Sequence, residues 1–247
     1  MKTINKYVAL CTMLAAVVLS SCNDDRESIS RVTYYPDFDF MGASEIIHQL
    51  GTPFTDPGVT ASEAGADIAV SSSASGVYRF GSSLDVDVSD MYHFTYSATN
   101  KDGFEGSVSR DVYVVNNGDL VNSIEGIYTA TVVRNGVSSP QYENLGYIII
   151  WKNSDGTYEV SDAIGGYYDK GRGYGNNYIA PGLVITANDI SANDFTYSDH
   201  AVRTFGGDIV TSGMTVDAGA KTINYLDSWT IGSTVYDFDV TLTQVDF

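Results

Sequence analysis

Tyr92-His93-Phe94-Thr95-Tyr96-Ser97-Ala98-Thr99, then Asn100-Lys101-Asp102-Gly103, then after four residues Val108-Ser109-Arg110-Asp111-Val112-Tyr113-Val114-Val115, is the stretch that decides the fold. Tyr92, Phe94, Tyr96 and Ala98 alternate with His93, Thr95, Ser97 and Thr99, the period of a strand with one face buried. The Asn-Lys-Asp-Gly run is turn chemistry, and the valine-rich return completes an antiparallel hairpin. On the return strand Val108, Arg110, Val112 and Val114 share one face, and Ser109, Asp111, Tyr113 and Val115 share the other. His93 falls opposite the tyrosines, as a surface or sheet residue.

Outward from the hairpin the same grammar continues. Upstream, Phe54-Thr55-Asp56-Pro57-Gly58-Val59-Thr60-Ala61 places a Pro-Gly turn before a short strand; only Ala43 to Leu50 has room for a turn or two of helix. Downstream, Asn116-Asn117-Gly118-Asp119 is polar and turn-forming, a domain boundary. The Asp-Pro-Gly-Val turn, Tyr96-Ser97-Ala98-Thr99 and Arg110-Asp111-Val112-Tyr113-Val114 together resemble a bacterial immunoglobulin-like module. That resemblance covers residues 32–116 and implies a β-sandwich of about seven strands without a buried disulfide.

Residues 117–123 are the linker, and 124–247 form a second β domain. Leu145 to Trp151 is nearly all apolar, as in a central strand covered on both faces. Asn153-Ser154-Asp155-Gly156 turns it into Tyr158-Glu159-Val160. Further strands are expected at Leu183–Thr186, Phe195–Tyr197, Ile209–Val216 and Lys221–Leu226. In the last, Thr234–Val245, Tyr236, Phe238, Val240 and Leu242 point one way. The chain is therefore all-β, an immunoglobulin-like sandwich followed by a second antiparallel sandwich or barrel.

At the other end, Lys2 and Lys6 precede an apolar run from Tyr7 to Leu19, the layout of a secretory signal and too short to span a bilayer. Leu19-Ser20-Ser21-Cys22 resembles the lipobox of bacterial lipoproteins, which implies removal of residues 1–21 and acylation of Cys22. Cys11 leaves with the signal, so Cys22 has no internal disulfide partner. Residues 22–31 are a tether, and Asn23-Asp24-Asp25-Arg26-Glu27-Ser28 resembles the acidic stretch of Bacteroidetes lipoproteins exported to the cell surface. The implied place is the outer membrane, held by lipid alone and facing the exterior. With 13 Lys and Arg against 31 Asp and Glu, the formal net charge of −18 argues against nucleic acid or anionic lipid as partners.

The candidate site is Gly165-Gly166-Tyr167-Tyr168-Asp169-Lys170-Gly171-Arg172-Gly173-Tyr174-Gly175-Asn176-Asn177-Tyr178, where five glycines alternate with four tyrosines. Tyr167, Tyr168, Tyr174 and Tyr178 offer flat faces to a sugar ring, and Asp169, Arg172, Asn176 and Asn177 offer hydrogen bonds to its hydroxyls. Trp151 and Trp229 are additional platforms. The same composition also suits a packed Ω-like loop whose rings cover the open end of the sheet. His48, His93 and His200 stand in no metal-binding or nucleophile spacing. Asp162 and Asp169 are the only carboxylate pair near the loop, and the two Asn-x-Asp-Gly runs lack the later acidic residue of a calcium loop. No cofactor, metal or catalysis is expected.

The Gly-x-Tyr opening at Gly126-Ile127-Tyr128, the glycine–tyrosine stretch and the acidic closing strand resemble the C-terminal domain of uncharacterised two-domain Bacteroidetes lipoproteins, associated with starch-utilisation-type uptake systems. The resemblance carries no established activity; the composition of the loop together with surface placement points to a non-catalytic surface lipoprotein that binds a glycan or related nutrient, and the alternative is a structural or assembly subunit of an outer-membrane nutrient-uptake complex with no ligand of its own.

Overall fold

The computed structural model describes residues 32–247; the signal sequence, Cys22 and the acidic tether lie outside the described residues. The first half contains β1 (Asp37–Phe40), β2 (Glu45–Gln49), β3 (Val59–Glu63), β4 (Ala66–Ile68), β5 (Ser71–Gly76), β6 (Asp90–Thr99) and β7 (Glu105–Val115). They form two sheets, β1-β3-β4 and β2-β7-β6-β5. The β6–β7 hairpin sets Tyr92 opposite Val112 and Tyr96 opposite Val108. Tyr92, Phe94, Tyr96, Val112 and Val114 bury one face of it, together with Val59 and with Phe38 and Phe40 from the facing sheet. The expected immunoglobulin-like sandwich is present. Ala43–Leu50 is not helical: β2 runs there, parallel to β7. Ile46 enters the sandwich core while Ile47 faces the second half, so cover on both faces decides for strand.

Arg110 is fully buried among these apolar side chains. Its Nε donates to the Ala43 carbonyl at 2.8 Å and its Nη2 to the Met41 carbonyl at 2.9 Å. Nη1 is paired with the Asp56 carboxylate and donates to the Tyr96 hydroxyl at 3.1 Å. Tyr96 in turn donates to Asp56 at 2.8 Å, and so does the Gly58 amide at 3.1 Å. The Asp-Pro-Gly turn and the Arg-x-Val strand are thus two ends of one buried network, which satisfies a charge that would otherwise be costly to bury.

The second half contains β8 (Gly126–Arg134), β9 (Leu145–Lys152), β10 (Tyr158–Val160), β11 (Val184–Asp189), β12 (Asp194–Tyr197), β13 (His200–Val202), β14 (Gly206–Asp217), β15 (Thr222–Ile231) and β16 (Thr234–Gln244). These make a single antiparallel sheet in the order β12-β11-β10-β9-β8-β16-β15-β14-β13, curled into a half-barrel. The curl brings the β12 rim back to β14, where the Met214 amide donates to the Tyr197 hydroxyl at 3.2 Å and the Val216 amide to Asn193 at 2.8 Å.

The apolar run in β9 is covered on both faces, as expected. Ile148 and Ile150 face the inside of the half-barrel. Ile149 and Trp151 face the sandwich, where they meet Met91, Tyr113, Val115 and Ile127. The chain between the halves is bonded to both: Gln49 donates to Asn116, and Asn117 donates to the Val245 carbonyl while accepting from the Ile127 amide. Residues 35–247 form one compact unit.

Candidate functional site

A curled sheet must fill its concave face, and the segment between β10 and β11 does so. Gly165 and Gly166 have φ of +63° and +76°, a backbone that other residues rarely adopt. The chain there presses onto the sheet: a Cβ on Gly165 would lie 2.8 Å from Val132 Cγ2 and 3.0 Å from Val240 Cγ1. One π-helical turn, Tyr167–Gly171, follows, closed by the Gly171 amide on the Gly166 carbonyl and the Arg172 amide on the Tyr167 carbonyl. This wide turn sends two successive tyrosines inward. Tyr167 is 3% and Tyr168 6% exposed. Tyr167 stacks on Tyr142 with centroids 4.1 Å apart, and Tyr168 lies edge-on to Phe205 and Trp229 at 5.2 and 6.0 Å.

The later part of the segment surfaces. Tyr174 is 47% and Phe205 38% exposed, while Tyr178 and Tyr236 are half-buried. Tyr174 meets Tyr178 at 5.2 Å, Tyr178 meets Phe205 at 5.0 Å, and Trp229 underlies Phe205 at 6.0 Å and Tyr236 at 5.5 Å. The rings form a continuous aromatic ridge at the mouth of the half-barrel, rooted in its core. Guanidinium groups border it. Arg134 lies 4.2 Å from the Tyr236 ring centroid, and Arg172 lies 5.5 Å from that of Tyr167. Arg203 donates to the Asn176 carbonyl at 3.2 Å and covers Phe80 of the sandwich at 5.6 Å. Burial pushes the Tyr167 phenol up, but hydrogen bonds with Tyr142, Arg172 and Arg134 and the Arg134 charge bring it below its ordinary value.

The expected site residues therefore separate. Tyr174, Asn177 and Arg172 are exposed on the ridge, with Tyr178 and Asn176 half-buried beside them. Tyr167 and Tyr168 are core. Asp169 is turned away and pairs with Lys170 at 3.4 Å. Trp151 belongs to the junction with the sandwich, with Arg79 over its ring, and does not join the others. Trp229 does join them, from beneath.

Residues 117–244, which contain the whole of this ridge, match the model of a C-terminal-domain family. The chain belongs to that family. Residues 38–114 match the model of a bacterial surface protein immunoglobulin-like domain. The chain is also similar to the crystal structure of the lipoprotein BT2262 from Bacteroides thetaiotaomicron, at 26% identity and a TM-score of 0.65 over 85% of this chain and 100% of that one. No curated protein matches.

Inside the family's C-terminal domain lies a second polar group that sequence spacing did not reveal. His200 Nε2 stands 3.5 Å from Asp227 Oδ2, both side chains fully buried, and Thr211 donates to Asp227 Oδ1 at 2.6 Å. These residues sit on β13, β14 and β15, which only sheet order makes neighbours. Asp162 is buried too. Its Oδ1 accepts from the Ala180 amide at 2.9 Å, and desolvation raises its carboxyl to about 7. Among the described residues no cluster could hold a metal ion. Phe205, Tyr236 and Arg134 were likewise missed as site residues. Alternation puts Tyr236 on one face with Phe238, Val240 and Leu242, but nothing in one sequence says that strand ends at a mouth.

Proposed function

We propose that this is a non-catalytic, lipid-anchored cell-surface protein that binds a glycan on the ridge formed by Tyr174, Tyr178, Phe205 and Tyr236. The observation that carries this reading is that these rings stay accessible although a buried aromatic layer lies directly beneath them. Rigid aromatic faces bordered by Arg172, Asn176 and Asn177 suit a sugar ring, with its apolar face stacked and its hydroxyls bonded. The match to a surface-protein domain and the likeness to a lipoprotein support the placement at the cell surface; the lipobox and the acidic tether are what suggest the outer membrane and an outward face. His200 and Asp227 are sealed from solvent, which favours binding over turnover.

Affinity electrophoresis through gels carrying polysaccharides tests the reading. Retardation by at least one polysaccharide is expected, with loss of about tenfold or more in affinity for Tyr174→Ala and Phe205→Ala, both still folded by circular dichroism. Burial of Tyr167 and Tyr168 supports a second reading, a structural subunit that docks on an outer-membrane transporter complex. Co-purification with such a complex, unchanged in those two variants and without retardation by any polysaccharide, would favour it.

A further inference from the structure

We propose that the ridge selects glycans whose sugar rings carry acidic groups; this rests on the glycan-binding reading and narrows it. Arg134, Arg172 and Arg203 converge on the ridge. In a chain with a net charge of −18, carboxylates are abundant, yet among the described residues none of these three arginines forms an ion pair. Arg110, by contrast, is matched with Asp56. The one carboxylate in the exposed loop, Asp169, is pulled back onto Lys170.

Neutral groups hold the three guanidiniums: besides the rings, Arg172 donates to the Tyr167 hydroxyl at 3.4 Å and Arg203 to the Asn176 carbonyl at 3.2 Å. Arg134 lies over Tyr236, Tyr167 and Phe238; Arg172 over Tyr167 and Tyr168; Arg203 over Phe80. Stacking uses the flat face of the group and leaves the remaining edge N–H donors for a planar carboxylate. Arg134 Nε is buried and makes no hydrogen bond. Phe80 fits the arrangement: it is 72% exposed and adopts φ +61°, an unfavourable conformation for a bulky residue. It thereby brings a ring from the sandwich to Arg203. A site that stacks sugar rings and also offers unmatched guanidinium edges discriminates by charge, since an uncharged sugar would leave those donors without a strong partner.

The test compares polygalacturonate with its highly methyl-esterified form, which has the same ring without the charge, and with dextran, by affinity electrophoresis and titration calorimetry on the intact protein. Polygalacturonate should bind at least tenfold tighter than the ester and weaken as sodium chloride rises. Arg172→Gln and Arg203→Gln should each lower affinity for polygalacturonate about tenfold and affinity for the ester by less, so that the ratio between the two narrows. Equal binding of the acid and the ester, or tight binding of dextran with none of polygalacturonate, overturns the proposal while leaving glycan binding intact. Retention of none of the three, and of no other polysaccharide, overturns both readings.

Discussion

Arg110 shows how one side chain can hold a fold together from the inside. Its five donors reach the Met41 and Ala43 carbonyls, Tyr96 and Asp56, so it ties the start of the chain, the Asp-Pro-Gly turn and the central hairpin. Replacing it with alanine strands these acceptors and removes the charge that Asp56 balances. A loss of about 3 kcal/mol or more in urea unfolding is expected. Asp162 works with the opposite sign. Burial raises its carboxyl to about 7, above an unfolded value near 3.8, so the folded chain holds the extra proton between those limits. Its neutral form contributes fully below about pH 4, and that contribution is lost as pH rises through 7. Thermal melts should therefore decline from pH 5 to pH 8, and Asp162→Asn, which keeps an acceptor for the Ala180 amide, should flatten the decline.

At the scale of elements, the segment that fills the half-barrel depends on a missing side chain. Gly165→Ala must place a methyl against Val132 and Val240 at a positive φ; a cost of roughly 2 kcal/mol or more is expected in denaturant unfolding. The same segment marks where sequence reading stopped. The hairpin was legible because the alternation of Tyr92, Phe94 and Tyr96 has one period and one buried face, and β9 because an unbroken apolar run demands cover on both sides. Gly165–Tyr178 has no such period. A π-helical turn follows neither the two-residue nor the 3.6-residue repeat, so four tyrosines of identical chemistry divide into two buried and two at the surface with nothing local to separate them. Asp56 and Arg110 lie 54 positions apart, and their pairing is likewise a product of the assembled sandwich.

Across the whole molecule, Trp151 is the residue whose role differs most from the expected one. Taken as a sugar platform by its type, it instead fills the junction with Met91, Tyr113 and Ile149. Bonds at Asn116 and Asn117 fasten the two halves at the same place, so they are expected to unfold together. Differential scanning calorimetry should show one transition for residues 32–247 and two for Trp151→Ala, in which a cavity replaces the largest side chain of the seam. The two margins of the nine-stranded sheet, β12 and β13, follow one another in the chain with only Ser198 and Asp199 between them. Tyr197 and Asn193 lace the first margin to β14, beside the second. An open sheet of this width normally offers raw hydrogen-bonding borders on which further molecules can grow. Here the two borders close on each other, which leaves less of this sheet's rim for another chain to extend.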